Sequence, residues 1–268
     1  MHFDAFVARC RLLWPEFDEP ARLARSRNPS DRSLSNILGE IPGMATENKL
    51  ALLNAAVAAL GPDEVYVEVG CYKGATLVGA AAGNPDARIF ACDNFVQFDG
   101  AAAALRLTLD ARTAPGQVSF HDLDFREFFA AAPWRPKRIG AYFYDGGHSF
   151  REQYDGLALA LHHLADDSVV IIDDTNKRAA RSANQLVARS VPGLELILNL
   201  RTTGNHSPTW WNGVQLYRYR RTAQDAAVQF PGPGFAIRKL IYDEIFLEMK
   251  HRRRALRKTI KARLRQNK

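Results

Sequence analysis

Val65-Tyr66-Val67-Glu68-Val69-Gly70-Cys71-Tyr72-Lys73-Gly74 is the stretch on which the architecture turns. Its valine-rich first half reads as a buried strand. Gly70 permits a tight turn, and Gly74 allows close backbone approach at the start of a helix. A dinucleotide fingerprint would need GxGxxG, with a second glycine two residues after Gly70. Tyr72 stands there instead. Without that glycine a pyrophosphate cannot sit close to the helix N-terminus, and the Glu68 carboxylate would repel one. The expected ligand therefore carries no diphosphate at this turn.

Outward from this turn the chain alternates. Strand patterns fall at 65–69, 88–91, 118–120, 139–144, 169–172, 194–198 and 214–219, and helical patterns at 74–82, 101–112, 125–131, 150–164 and 178–189. Short apolar runs separated by helices mean βαβ units and a parallel sheet covered on both faces. The last connection breaks the rule. Residues 201–213 are rich in Gly, Asn, Thr, Pro and Trp and lack a helical period. A parallel crossover needs a helix, so strand seven is expected to run antiparallel to strand six. The fold class is α/β: a doubly wound, Rossmann-like seven-stranded sheet. Residues 1–60 are read as a helical, substrate-covering cap, closed by an Ala/Leu-rich helix at 47–60 that Gly61-Pro62 stops. The sheet domain takes 61–220, and 221–268 a linker and basic amphipathic helical tail.

Composition narrows the classes further. Of the 268 residues, 47% are hydrophobic and 24% charged, which suits a soluble globular chain. Cys10, Cys71 and Cys92 have no paired spacing, which argues against a disulfide scaffold or a CxxC site and for a reducing, cytoplasmic setting. Six charged residues among the first twenty leave no signal-peptide core, and aliphatic runs such as 169–172 are far too short to span a bilayer. The net charge of +7 is unevenly placed: residues 238–268 hold twelve Lys/Arg and three Asp/Glu. The remainder, with 24 basic and 26 acidic residues, is mildly acidic. In the tail, Ile241, Ile245, Met249, Leu256, Ile260 and Leu264 recur mostly four apart, with Arg252-Arg253-Arg254 on other faces. Such a helix packs on its own domain or a dimer mate, which is the favoured reading. An anionic membrane surface and nucleic acid are the alternatives.

Acidic residues gather where strands end. Asp93, with Asn94 beside it, closes strand two 23 residues after Gly70, about where a carboxylate reaches ribose hydroxyls. After strand three, either Asp122 or Asp124 is placed to accept from an adenine amino group; capping of the next helix accounts for them equally well. Strand four runs into Asp145-Gly146-Gly147-His148-Ser149, and strand five into Asp173-Asp174-Thr175-Asn176. In an open parallel sheet ligands bind beyond the carboxyl ends of the strands. That brings Asp145, Asp173 and Asp174 together opposite the Gly70 turn. Three clustered carboxylates repel unless neutralised, and a hard divalent cation is the ordinary solution: Mg²⁺ first, with Mn²⁺ or Ca²⁺ as alternatives and Asn176 as a weaker ligand. Plain turn and helix-cap roles stand beside these for Asp145, His148, Asp173 and Asp174. Trp210-Trp211 either line a substrate pocket or cover the sheet edge.

The sequence from Glu68 to Gly74 resembles motif I (E/DxGxxxG) of class I S-adenosylmethionine (SAM) methyltransferases, and Asp93 looks like that family's ribose-binding acid. The resemblance covers roughly residues 47–220. It implies SAM as cofactor, held by Glu68, Gly70, Cys71, Tyr72 and Gly74, by Asp93 and Asn94, and by Asp122 or Asp124. DGGHS followed by DDT is similar, more narrowly, to metal-dependent macrocin-type sugar O-methyltransferases and the cephalosporin-pathway 7-methoxylation protein. That likeness implies metal ligation by Asp145, Asp173 and Asp174 and His148 as general base; it does not extend to the substrate, for which a small polyhydroxylated molecule such as a sugar is the expectation. A metal-independent methyltransferase and a non-catalytic binding protein on the same fold are the rival readings.

Overall fold

The structure is a computed structural model describing residues 1–98, 100–246, 248 and 249. Seven strands form one sheet: β1 (Glu64–Val69), β2 (Ile89–Cys92), β3 (Val118–His121), β4 (Arg138–Tyr144), β5 (Leu164–Ile172), β6 (Leu194–Leu200) and β7 (Val214–Arg220). Their spatial order is β3-β2-β1-β4-β5-β7-β6. β1 to β5 pair in parallel, whereas β7 inserts between β5 and β6 antiparallel to both. The sequence expectation for strand seven holds, because 201–213 offers no helix to carry the chain back over the sheet. The order reverses between β1 and β4, so the cleft-forming switch point lies there.

Helices α1 (Phe3–Leu13), α2 (Pro20–Leu23), α3 (Ile37–Glu40) and α4 (Glu47–Ala58) precede the sheet, and α5 (Ala75–Ala81), α6 (Ala101–Arg112), α7 (Phe125–Ala131), α8 (Phe150–Leu161) and α9 (Arg178–Ser190) connect its strands. Alternate residues of each strand point to opposite faces. Tyr66, Phe143 and Ile171 therefore pack with Phe6, Cys10, Leu53 and Leu105 from α1, α4 and α6. Val67, Tyr142, Tyr144 and Val170 pack with Phe128, Leu157 and Val187 from α7, α8 and α9. The N-terminal segment is built into the first of these cores. Trp14 and Trp210 rings lie 5.5 Å apart, and Trp210 Nε1 donates to the Leu23 carbonyl at 2.7 Å. All three cysteines are free and buried.

After β7 a 3₁₀ turn (Ala223–Ala227) and α10 (Phe235–Lys239) lead into a π-helical turn (Leu240–Ile245). Tyr242 stacks on Phe150 at 5.7 Å, and the Asp243 carboxylate accepts from the backbone N–H groups of Phe150 and Arg151 at 2.7 and 3.0 Å. Ile237, Leu240, Ile241, Ile245, Phe246 and Met249 are exposed. Most of the basic tail, including Arg252-Arg253-Arg254, lies outside the described residues. Among those described, no helix is long and apolar enough to cross a membrane.

Candidate active site

Backbone hydrogen bonds line up the strand ends. Gly70 N donates to Cys92 O at 2.9 Å, Asp145 N to Val69 O at 2.8 Å, and Asp173 N to Tyr144 O at 3.0 Å. Residues on four strands are thereby held in a row along one edge. A cavity of about 350 Å³ opens above it, lined among others by Met44, Gly70, Tyr72, Asp93, Asn94, Phe98, Asp124, Asp145, His148, Asp173, Asp174, Lys177, His206, Trp211 and Asn212. Among the described residues six non-glycines have positive φ, and four of them (Tyr72, Asp174, His206 and Trp211) line this cavity. Backbone strain of this kind costs on the order of 1–3 kcal/mol per residue and concentrates at functional sites.

The glycine turn is clamped from β2. Asp93 Oδ2 accepts from the N–H groups of Cys71 and Tyr72, both at 3.0 Å, and Oδ1 from Phe95 N at 2.9 Å. Little acceptor capacity is left on Asp93, so its first task is to fix the turn. At Gly70 φ is +83°, and a Cβ there would collide with the Asp145 carbonyl. Of the residues expected to contact a cofactor, Gly70, Tyr72, Asp93, Asn94 and Asp124 line the cavity; Glu68, Cys71, Gly74 and Asp122 do not. Glu68 shares the face of β1 that carries Tyr66, is fully buried, and accepts hydrogen bonds from Tyr66 Oη and Thr76 Oγ1. Burial pushes its carboxyl up to about 7 despite those two bonds. Gly74 starts α5 at φ +89° and is tucked against Leu105, so it serves helix packing rather than ligand approach. Asp122 points to solvent, while Asp124 faces the cavity and caps α7 through Arg126 N.

The DGGHS turn sits between β4 and α8. Ser149 and Glu152 form a capping box at the start of α8, to which Asp243 adds its two backbone contacts. His148, just before this doubly capped turn, places Nε2 2.8 Å from Asp174 Oδ2. The carboxylate assigns the imidazole proton to Nε2. Nδ1 is buried without a partner. Asp174 also accepts from Lys177 Nζ at 2.7 Å and from Asn212 Nδ2 at 2.6 Å. Burial alone would raise Asp174, but the bonds from His148 and Lys177 outweigh it and hold the carboxyl well below the usual range.

The three acidic residues do meet on the cavity wall, but their charges already have partners in the protein. Lys49, on the first turn of α4 and 2% exposed, is ion-paired with Asp173, itself 1% exposed. Burial would lower the ammonium, yet Asp173, Asp145 and Asp174 around it hold it above its ordinary value. Asp145, on the cavity wall, is raised well above the carboxylate range by lost hydration and by the neighbouring Asp173. Asp173 Oδ1 has no hydrogen-bond partner, but both oxygens of Asp174 are taken by three donors. Among the described residues no group of three or more His, Cys, Asp or Glu has the arrangement to hold a metal ion. The expected ligand set of Asp145, Asp173 and Asp174 therefore does not fit a divalent cation: its negative charge is already met by Lys49 and Lys177. Asn176 is turned into the 202–205 loop, bonding Thr202 Oγ1 at 2.7 Å, and is no ligand either.

Sequence reasoning passed over Lys49, Lys177 and Asn212. A single lysine in a helix whose other residues from 48 to 57 are all buried was the available signal, since a buried charge requires a partner. The tryptophan pair divides between its two readings: Trp210 is buried against Trp14, while Trp211 lines the cavity.

Residues 67–175 match the family model described as a methyltransferase domain. Among solved structures it is similar to the O-methyltransferase of Bacillus cereus in complex with SAH, at 13% identity and a TM-score of 0.55, over 75% of this chain and 96% of that one. It is also similar to an O-methyltransferase from Streptomyces achromogenes involved in tomaymycin synthesis, in complex with SAM, at 16% identity and a TM-score of 0.54 over the same shares. These likenesses show a common methyltransferase fold. None of the curated proteins matches in sequence.

Proposed function

We propose that this protein is a SAM-dependent O-methyltransferase acting on a small polyhydroxylated molecule, with His148 as general base. The observation that carries the reading is the His148 imidazole, a side chain lining the cavity, tied to Asp174 through Nε2 while its buried Nδ1 has no partner. The fold and the family match support the cofactor. The Gly70 turn and Tyr72 would hold its methionine part, Asp93 and Asn94 its ribose, and Leu123, Asp124 and Phe125 its adenine. When bound, SAM supplies an electrophilic methyl group. His148 Nδ1 would accept the proton of an acceptor hydroxyl, and Asp174 would keep the ring in the required tautomer and stabilise the imidazolium. Met44, Phe98 and Trp211 offer apolar surface against which an acceptor can be oriented, and positioning carries most of the rate in such a transfer.

Calorimetric titration with SAM, using NAD⁺ as control, tests the cofactor. A screen of hydroxylated acceptors with methyl-labelled SAM then tests the chemistry. Saturable SAM binding and label transfer that is lost in His148→Asn would support the reading. Binding of NAD⁺ in place of SAM would overturn it.

A further inference from the structure

The carboxylate edge already contains a cation of its own. Lys49 reaches from the first turn of α4 across to the end of β5, 124 residues away in sequence, and meets Asp173 in a fully enclosed pair. Its anchorage is specific. Thr46 caps α4 by accepting from Lys49 N, and the same hydroxyl donates to the Thr209 carbonyl. Asn48 Nδ2 bonds that carbonyl as well, at 3.1 Å, while Asn48 Oδ1 accepts from Trp14 Nε1 at 2.9 Å. The helix start is thus stitched to the β6–β7 loop, and the lysine is aimed at the strand ends rather than at solvent. An enclosed ammonium persists only where anions surround it, and an enclosed carboxylate only where a cation does.

We infer that the Lys49 ammonium is the resident cation of this edge, standing in place of a divalent metal ion and positioning Asp173 at the end of β5. The inference rests on the methyl-transfer reading for its functional meaning: the protein works without a divalent cation, with Lys49 neutralising the carboxylates beside the acceptor site. Lys49 acts through Asp173 and is a positioning residue. It also excludes metal, because a dication bound by Asp173 and Asp145 would lie within a few ångströms of a like charge that water does not screen.

The test is a titration of the intact protein with Mn²⁺, followed by electron paramagnetic resonance, on the wild type, Lys49→Met and Lys49→Arg. Methionine keeps the apolar stem and removes the charge; arginine keeps the charge. The wild type and Lys49→Arg should leave Mn²⁺ free at millimolar concentration. Lys49→Met should bind it roughly a hundredfold or more tightly, the order expected when a like charge next to a dication is removed, and Asp173→Asn in that background should abolish the gain. Stoichiometric Mn²⁺ binding by the wild type would overturn the inference, and so would failure of folded Lys49→Met to bind. If Lys49→Met does not fold, the wild-type titration and labelled methyl transfer in EDTA decide: transfer that stops in EDTA and returns with Mg²⁺ overturns it. SAM titration of the wild type without metal separates this outcome from failure of the methyltransferase reading, which would show as absent SAM binding whatever Mn²⁺ does.

Discussion

His148 Nε2 and Asp174 Oδ2 lie 2.8 Å apart across the ends of β4 and β5. The pair joins the turn after one strand to the turn after its neighbour, with Asp174 in a left-handed conformation at φ +59°. Lys177 and Asn212 also donate to Asp174, so both of its oxygens are engaged, the carboxylate has one orientation and the imidazole one tautomer.

Removal of the imidazole should therefore cost catalysis and little else. His148→Asn is expected to lower the methyl-transfer rate by roughly 10²–10⁴, the usual worth of a general base, while SAM affinity stays within about threefold of wild type. Single-turnover transfer of labelled methyl, alongside calorimetry, reads both quantities. A variant that retains full rate would remove His148 from the chemistry.

Gly70 has no room for a side chain. Gly70→Ala combines a positive φ with a Cβ set against the Asp145 carbonyl, and it should destabilise the fold by roughly 3 kcal/mol or more. Urea denaturation measures this. A loss below about 1 kcal/mol would mean that the β1 and β4 ends part easily.

The buried Glu68 carboxyl makes stability depend on pH. Its folded value of about 7 lies above the ordinary carboxylate value of 4.5, so between these limits the native state holds a proton that the unfolded chain has released. This contribution is present below about pH 4.5 and is lost as pH rises through 7, to the extent of about 3 kcal/mol. Glu68→Gln stays neutral and should gain on the wild type by up to that amount between pH 5 and pH 7.5 in urea melts. A wild-type-to-variant difference that ignores pH would contradict the assignment.

Asp243 reaches back from the C-terminal segment to cap α8 beside His148. Asp243→Ala should cost about 1 kcal/mol, as lost helix caps do. For a chain of this size that lowers Tm by roughly 2–4 °C per kcal/mol in a calorimetric scan. The turn carrying His148 should loosen at the same time, lowering the transfer rate. Unchanged Tm and rate would mean that Ser149 and Glu152 hold the helix start alone.

The series of strands and helices, the reversed direction of strand seven, the Gly70 turn and the gathering of acids at strand ends were all readable in the chain. Each depends on neighbours in sequence. A period of two or 3.6, a glycine after a valine run and the lack of a helix in 201–213 leave few topologies open. Partner choice was not readable. Lys49 finds Asp173 across 124 residues, Asn212 finds Asp174 across 38, and no spacing rule announces either pair. The same holds for which of Asp122 and Asp124 faces the cavity, and for the division of Trp210 from Trp211. Glu68 turns inward because its face of β1 is covered by α5, and Asp93, expected to reach ribose hydroxyls, also accepts from the backbone of the Gly70 turn. Local periodicity sets where a side chain starts. What it meets, and hence whether an acidic cluster holds a metal ion or an ammonium, depends on which helix the packed fold lays across it.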